Sequence, residues 1–409
     1  MAQAGWGRAL RAVARAQLER NSRTQVLAPR RTFCLSQNGR LPPRMNGLRS
    51  DESKKGFFGW SYSIGKGLNE PADSFPAMPK LPFEYIIRKP ITRKAMETDP
   101  RWGCIPERRT VEQLLRYGIV NIDKPSGPTS HQVSDYVQKI LMIKKSGHSG
   151  TLDPKVTGVL PIALGSATKV VHGLLTAGKE YIALMHLHQE IPMEQLQKAF
   201  STFTGKIMQL PPVKSAVKRV LREREVYYLE LLEMEGKDVL FRVGCEAGTY
   251  IRKLIFDMGK ELGCGAHMAE LRRTKAGPFD ESTLFTLQDL RDAYHYATKE
   301  GNETLFRTVV LPMESAVAHL PKVWIFDATV ESLCHGTDLK VPGISRVDDQ
   351  IEEGNRVAIL TLKGELVCMG TARMPTKNML KDRGAAVTVD RVLMEPGTYR
   401  QKEKAENAP

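Results

Sequence analysis

The chain lacks most of the signatures that would mark a cofactor-dependent enzyme. Its six cysteines, Cys34, Cys104, Cys245, Cys264, Cys334 and Cys368, are scattered and never form a C-x-x-C pair. That argues against a disulfide framework or a zinc ribbon and fits a reducing interior. No apolar run approaches the ~20 residues that a membrane-spanning helix requires. Gly158 and Gly165 lack the spacing and following Lys-[ST] of a P-loop, and Gly147-His148-Ser149-Gly150 is not a G-x-S-x-G elbow. There is no H-E-x-x-H, and no H-x-E followed by P-C-x-x-C. His186-Leu187-His188 would put two rings on one face of a strand, but no third ligand completes the set by spacing, so the pair reads as structural. No metal and no cofactor is expected.

Acidic residues are scarce at the start. Residues 1–50 contain ten arginines, no lysine and one acid, Glu19. Arg8, Arg11 and Arg15 fall at helical spacing between Leu10, Val13 and Ala14. The composition resembles a mitochondrial presequence, and a basic arm or an upstream extension of the frame ahead of Met45 fits it equally. Residues 51–82 are rich in Gly, Ser, Pro and Lys and read as linker, so 1–82 is expected to be a basic, disordered extension. Across 409 residues, 60 Lys and Arg outnumber 46 Asp and Glu, a net charge of +14. Such an excess suggests a polyanionic partner, although a membrane surface or mere solubility would also fit.

What is present predicts two folded units. Residues 83–110 form an irregular basic arm, and 111–320 read as a mixed helix and strand unit. Helix Val111–Tyr117, a strand at 119–122 and the loop Asp123-Lys124-Pro125-Ser126-Gly127-Pro128 open it. Thr129 or Ser130 caps a helix whose apolar face is Val133, Val137, Ile140 and Leu141. Strands follow at 156–164, 179–185, 227–234 and 239–243, with Tyr181, Ala183 and Met185 sharing one strand face. Leu271-Arg272-Arg273-Thr274-Lys275 reads as a basic edge. From 321 to 397 short strands alternate with glycine turns at Gly336, Gly343, Gly354, Gly364 and Gly370, the pattern of a small β-barrel. Residues 398–409 read as a tail.

The stretch Gly147-His148-Ser149-Gly150-Thr151-Leu152-Asp153-Pro154 organises the first unit. Two glycines permit a tight turn, and Pro154 biases Asp153 towards an extended backbone, so the carboxylate sits on a stiff post. An Asp before Pro is ordinarily a turn residue, so a catalytic reading requires a partner. Gly248-Thr249-Tyr250-Ile251-Arg252 opens a helix with Arg252 in its first turn, where the dipole disfavours a cation by ~0.3–1 kcal/mol. A nearby anion would remove that cost, and Asp153 is a candidate. Between these lies the most basic loop, where Pro211-Pro212 stiffen a protrusion carrying Lys214, Lys218 and Arg219, suited to phosphate contacts.

Taken together, these motifs resemble the TruB/dyskerin family of pseudouridine synthases. The glycine stretch with Lys124-Pro125 upstream, Gly178-Lys179-Glu180-Tyr181, and Gly248 to Arg252 match its three active-site motifs in order. Pro211-Pro212 with Ser215 to Arg219 is similar to its RNA-gripping thumb loop, and Cys334-His335-Gly336 with residues 339–344 to a PUA domain. The resemblance implies an α+β fold: a mixed, largely antiparallel catalytic sheet and a small C-terminal PUA β-barrel. It implies isomerisation of uridine to pseudouridine without a cofactor. Asp153 would be the catalytic carboxylate, Arg252 its counter-ion, and Tyr181 the residue that stacks on the flipped uracil and helps remove the C5 proton. His148 would fill the space the base leaves, Lys124 and Pro125 would support the site, and Tyr250, Lys214, Lys218 and Arg219 would contact RNA. Within the family the chain is most similar to the archaeal type, the catalytic subunit of H/ACA guide ribonucleoproteins. The implied partners are tRNA (at uridine 55), ribosomal RNA, an H/ACA guide RNA and the small H/ACA proteins, with no membrane. An archaeal-type chain would be cytoplasmic, and a eukaryotic source would point to mitochondrion or nucleolus. The alternative from the binding class is a non-catalytic RNA scaffold of such a particle.

Overall fold

Runs of β-branched and aliphatic residues, broken by glycines where the backbone must turn, give this chain seventeen strands among the residues that the computed structural model describes, 79–211 and 218–399. The extension 1–78, the loop residues 212–217 and residues 400–409 lie outside that description. The first strand, β1 (Pro90–Thr92), belongs to the arm. The next ten are β2 (Gly118–Lys124), β3 (Ser146–His148), β4 (Thr157–Leu164), β5 (Lys179–Leu187), β6 (Gly205–Gln209), β7 (Arg222–Glu235), β8 (Asp238–Cys245), β9 (Ala266–Ala276), β10 (Phe279–Asp280) and β11 (Val310–Pro312). They form one sheet in the order β11-β2-β4-β9-β5-β8-β7-β6, with β3 on β4 and β10 on β9. Every named pairing in it is antiparallel except β4 with β9, which are parallel neighbours only at Thr157–Arg272 and Gly158–Arg273.

This short parallel contact joins the sheet's two halves, and it depends on glycine. Gly158 has φ +102°, and a Cβ there would collide with the Arg273 carbonyl oxygen. Helices cover the two halves separately. Helix Ser130–Leu141, capped by Thr129 as expected, buries Val133, Val137 and Leu141 against Val120, Ile122, Leu160 and Ile162. Helix Ile251–Glu261 buries Leu254, Ile255 and Met258 against Ala183, Met185, Phe241 and Val243.

The remaining strands are β12 (Lys322–Ile325), β13 (Leu339–Lys340), β14 (Ile344–Asp348), β15 (Arg356–Thr361), β16 (Leu366–Ala372) and β17 (Ala385–Val392). Their sheet runs β1-β14-β12-β15-β16-β17-β13, so the supposedly irregular arm supplies its edge strand. The glycine turn expected at Gly364 joins the antiparallel hairpin β15–β16. Gly370, expected as a turn, instead lies inside β16, where a Cβ would collide with the Thr388 carbonyl oxygen. Tyr399, read with the tail, is fully buried and donates to Glu365 at 2.6 Å.

The two sheets share a core. Ile119, Val159 and Ala163 of the first pack in one cluster with Leu360, Leu366 and Met369 of the second. Arg109 reinforces the seam with a two-pronged ion pair to Glu314, 2.7 and 2.8 Å, while Glu314 also accepts the Leu366 N–H at 2.9 Å. No helix among the described residues is long and apolar enough to cross a membrane.

Candidate active site

The β4–β9 junction is where the motifs meet, because each sits at the end of a strand or helix that terminates there. The glycine stretch links β3 to β4 and is pinned from several sides. Ser149 N–H donates to the Pro161 carbonyl at 3.1 Å, and Gly127 N–H to that of Pro154 at 2.9 Å. The buried Ser130 hydroxyl accepts the Leu152 N–H at 2.9 Å and donates to the Leu152 carbonyl at 3.2 Å. Lys124 at the end of β2 is fully buried, and its Nζ donates to the carbonyls of Pro125 (3.0 Å), Pro154 (3.0 Å) and Val156 (2.9 Å). Burial lowers its pKa, and nearby Arg273 adds to the effect. Three carbonyl acceptors satisfy the ammonium, so Lys124 stiffens the Asp153 loop from behind. Pro125 is exposed on the adjoining turn.

Arg252, at the second position of helix Ile251–Glu261, forms an ion pair with Asp153. Half of each side chain remains exposed, 45% for Arg252 and 49% for Asp153. An ion pair so open contributes only ~0–1 kcal/mol. That is about what the cation loses to the helix dipole, so stability gives no reason for the pairing. The helix start is held by Gln209 at the end of β6. Its Oε1 accepts the Tyr250 N–H at 3.0 Å, and its Nε2 donates to the Tyr250 carbonyl at 3.3 Å.

Tyr181 on β5 is half-buried and lies opposite Arg273 in the β5–β9 register. Burial raises the pKa of its phenol, and the Arg273 guanidinium, close enough for charge and hydrogen bonding to act, opposes that rise. His148 stands at the end of β3 with its ring edge-on to His131, centroids 4.8 Å apart. Burial depresses its pKa, so the ring is neutral at physiological pH, and neither ring nitrogen has a hydrogen-bond partner. The hydroxyls of Ser149 and Thr249 and Nη2 of Arg273 are likewise buried without partners. Unpaired buried polar atoms cost ~1–3 kcal/mol each. Their concentration in these motifs suits a site completed by a polar ligand.

The structure thus brings Asp153 and Arg252 into contact and sets Tyr181, His148, Lys124, Pro125 and Tyr250 on the elements that end there. Lys214 lies outside the described residues, while Lys218 and Arg219 are exposed at the base of the loop. One expectation fails. Leu271–Lys275 is no basic edge but the interior of β9. Arg272 pairs with Asp123 at 2.9 Å and Glu281 at 2.6 Å, Lys275 with Glu84 at 2.9 Å, and Arg273 is 1% exposed. Gln209 was not singled out from the sequence, Ser130 only as a candidate helix cap and Arg273 only within the basic edge; nothing local shows their place at this site, since their partners are 22 to more than 90 residues away. The histidine pair also gains neighbours: His188 Nε2 is 3.3 Å from His267 Nδ1, and His186 Nδ1 is 2.7 Å from Asp238 Oδ1. Even so, no group of three or more such side chains among the described residues is arranged to hold a metal ion.

A mixed sheet with these motifs at its central junction, packed on a second small sheet, is the architecture of an RNA-modifying isomerase. Family models match in series along the chain: DKCLD (NUC011) domain at residues 81–134, TruB family pseudouridylate synthase (N terminal domain) at 138–251, tRNA pseudouridylate synthase B C-terminal domain at 252–318, and PUA domain at 321–393. A probable tRNA pseudouridine synthase B from Methanopyrus kandleri is 54% identical over 321 residues, 78% of this chain and 95% of the relative. One from Thermococcus onnurineus is 57% identical over 78% of this chain and 96% of the relative. Among solved structures, a chain from a Cbf5-Nop10-Gar1 complex superposes with TM-score 0.74 at 54% identity, covering 78% of this chain and 98% of that one. A chain from an H/ACA RNP bound to a substrate RNA containing 2'-deoxyuridine does so with TM-score 0.74 at 50% identity, covering 79% and 99%. The chain belongs to the TruB family of pseudouridylate synthases and is an isomerase that converts uridine in RNA to pseudouridine.

Proposed function

We propose that this isomerase acts on uridine 55 of tRNA by itself and, with an H/ACA guide RNA and small protein partners, on ribosomal RNA, with Asp153 as the reacting carboxylate. The Asp153–Arg252 pair carries the reading, because it is an exposed ion pair that folding does not require. The uridine flips out of its stack at a cost of a few kcal/mol, offset by backbone contacts from Lys214, Lys218, Arg219 and the PUA sheet. Entry of the base closes the half-open pair off from water. A desolvated carboxylate stays ionised only beside a cation, and Arg252 supplies it. Asp153 then acts at the sugar as the N1–C1′ bond breaks, either as nucleophile or in forming a glycal. The freed uracil turns while stacked on Tyr181, and C5 bonds to C1′. His148, neutral and without partners, takes the space the base vacates.

Support comes from tRNA in the names of the archaeal relatives, from Nop10 and Gar1 in one solved complex, and from an H/ACA RNP with a substrate RNA in another. The archaeal kinship favours the cytoplasm. The experiment is nucleoside chromatography with mass spectrometry on two substrates, tRNA with protein alone and ribosomal RNA with guide and partners. Pseudouridine in both is expected. RNA bound but unmodified in both would instead identify a non-catalytic scaffold.

A further inference from the structure

Arg273 is the largest fully buried side chain in the described structure, and it is a cation without a carboxylate partner. Its Nε donates to the Val159 carbonyl at 2.7 Å, and its Nη2 is buried with no partner. A Cβ built at Gly150 would touch Nη1 at 3.5 Å, so the guanidinium lies directly beneath the glycine turn that carries Asp153. Across β5–β9 it faces Tyr181. Burying an uncompensated guanidinium costs several kcal/mol, and a methionine-like side chain would fill this space more cheaply. The cost is localised under the site, which points to function.

We propose that Arg273 is a positioning residue for Tyr181, holding the phenol oxygen from below and supplying the positive charge that lets this oxygen take the proton from C5. The inference rests on the reading of Asp153, Arg252 and Tyr181 given above. Once C5 has bonded to C1′, C5 still carries its hydrogen. The C5–H bond breaks, its proton passes to the Tyr181 phenolate, and its electron pair forms C5=C6. The C6=N1 pair moves onto N1, which takes a proton, so the product is an isomer and nothing is oxidised or reduced.

Burial alone works against such a base, because it raises the phenol's pKa, and Arg273 is the cation that opposes it. The other groups facing this pair cannot substitute. Cys245 on β8 is pushed up to about 12 by burial and stays neutral. Lys179 on β5 spends its Nζ on the carbonyls of Leu174, Leu175 and Ala177. Lys124 on β2 is committed to its three carbonyls, and His148 in the glycine stretch is neutral.

The test is the pH dependence of single-turnover conversion on tRNA, with native protein and Asp153→Asn as controls. If native protein converts and Asp153→Asn does not, the reading of the site stands, and the Arg273 variants test only this inference. Arg273→Met is expected to move the ascending limb upward by ~1–2 pH units, making the reaction at least ~10-fold slower at neutral pH and converging with native protein in alkali. With 5-deuterated uridine its isotope effect increases, and on a Tyr181→Phe background Arg273→Met adds no further loss. Arg273→Lys, which keeps the charge, lies between the two and substitutes should Arg273→Met fail to fold. An equal loss at every pH, or a loss that multiplies with that of Tyr181→Phe, would overturn the proposal.

Discussion

The two sheets treat buried polarity in opposite ways. In the C-terminal sheet, Glu365 is buried yet accepts from Tyr399 Oη (2.6 Å), Cys104 N–H (3.0 Å) and Thr361 Oγ1 (3.3 Å). Asp348 accepts the Lys322 N–H at 2.8 Å, and the Asp348 carbonyl accepts from Thr376 at 2.8 Å. Among the described residues from 322 to 399, no side-chain nitrogen or oxygen is both buried and unpaired. At the β4–β9 junction, His148, Ser149, Thr249 and Arg273 all keep such atoms, and the Asp153–Arg252 ion pair is half open. One region is complete as it stands and stabilises the chain. The other tolerates unmet hydrogen bonds, as suits a site that a polar ligand completes.

That contrast can be broken at either end. The largest effect on stability is expected on the satisfied side, at Arg109. Arg109→Ala leaves the largely covered Glu314 without its cation and should cost ~3 kcal/mol, read as a lowered denaturation midpoint, with turnover per folded molecule nearly unchanged. Arg252→Ala should do the reverse. It lowers single-turnover conversion by ~10²-fold or more, the range for losing a preorganised charge, while stability moves by no more than ~1 kcal/mol. Comparable stability losses in both variants would erase the distinction. Gly158→Ala should affect both regions' common scaffold, costing ~1–3 kcal/mol through its positive φ and its collision with the Arg273 backbone, and slowing turnover as well.

The smallest effect is a pH dependence where the arm packs. His319 lies edge-on to Phe83, its carbonyl accepts from Arg88, and burial lowers its own pKa to about 4. Between that value and the ordinary 6.5 the unfolded chain holds the proton that the folded chain refuses. His319 therefore leaves stability intact above pH 6.5 and erodes it as pH falls towards 4. Thermal midpoints of His319→Gln should fall less across that window than those of native protein.

Much of this was legible in the sequence, for identifiable reasons. Asp153 could be offered as a candidate partner for Arg252 because a cation in a helix's first turn asks for an anion, and a stiff Asp-Pro turn offers one. The helix at Ser130 was readable from its cap and its apolar period. Arg273 was not, because three cations in five residues look like a solvated edge until the cross-strand neighbour Tyr181 and the ion-pair partners Asp123 and Glu84 are known. Nor was β1, whose partner β14 lies more than 250 residues on and whose three residues are all exposed. Local pattern specifies elements, and long-range pairing decides which charges end up inside.

The central claim is that Asp153 reacts rather than merely caps a turn. Its most direct test is single-turnover pseudouridine formation on tRNA by Asp153→Asn, with RNA affinity measured in parallel. The account predicts a loss of ~10⁴-fold or more in conversion with affinity within about threefold of native, since an exposed ion pair contributes little to binding or stability. Conversion at the native rate by Asp153→Asn would contradict it.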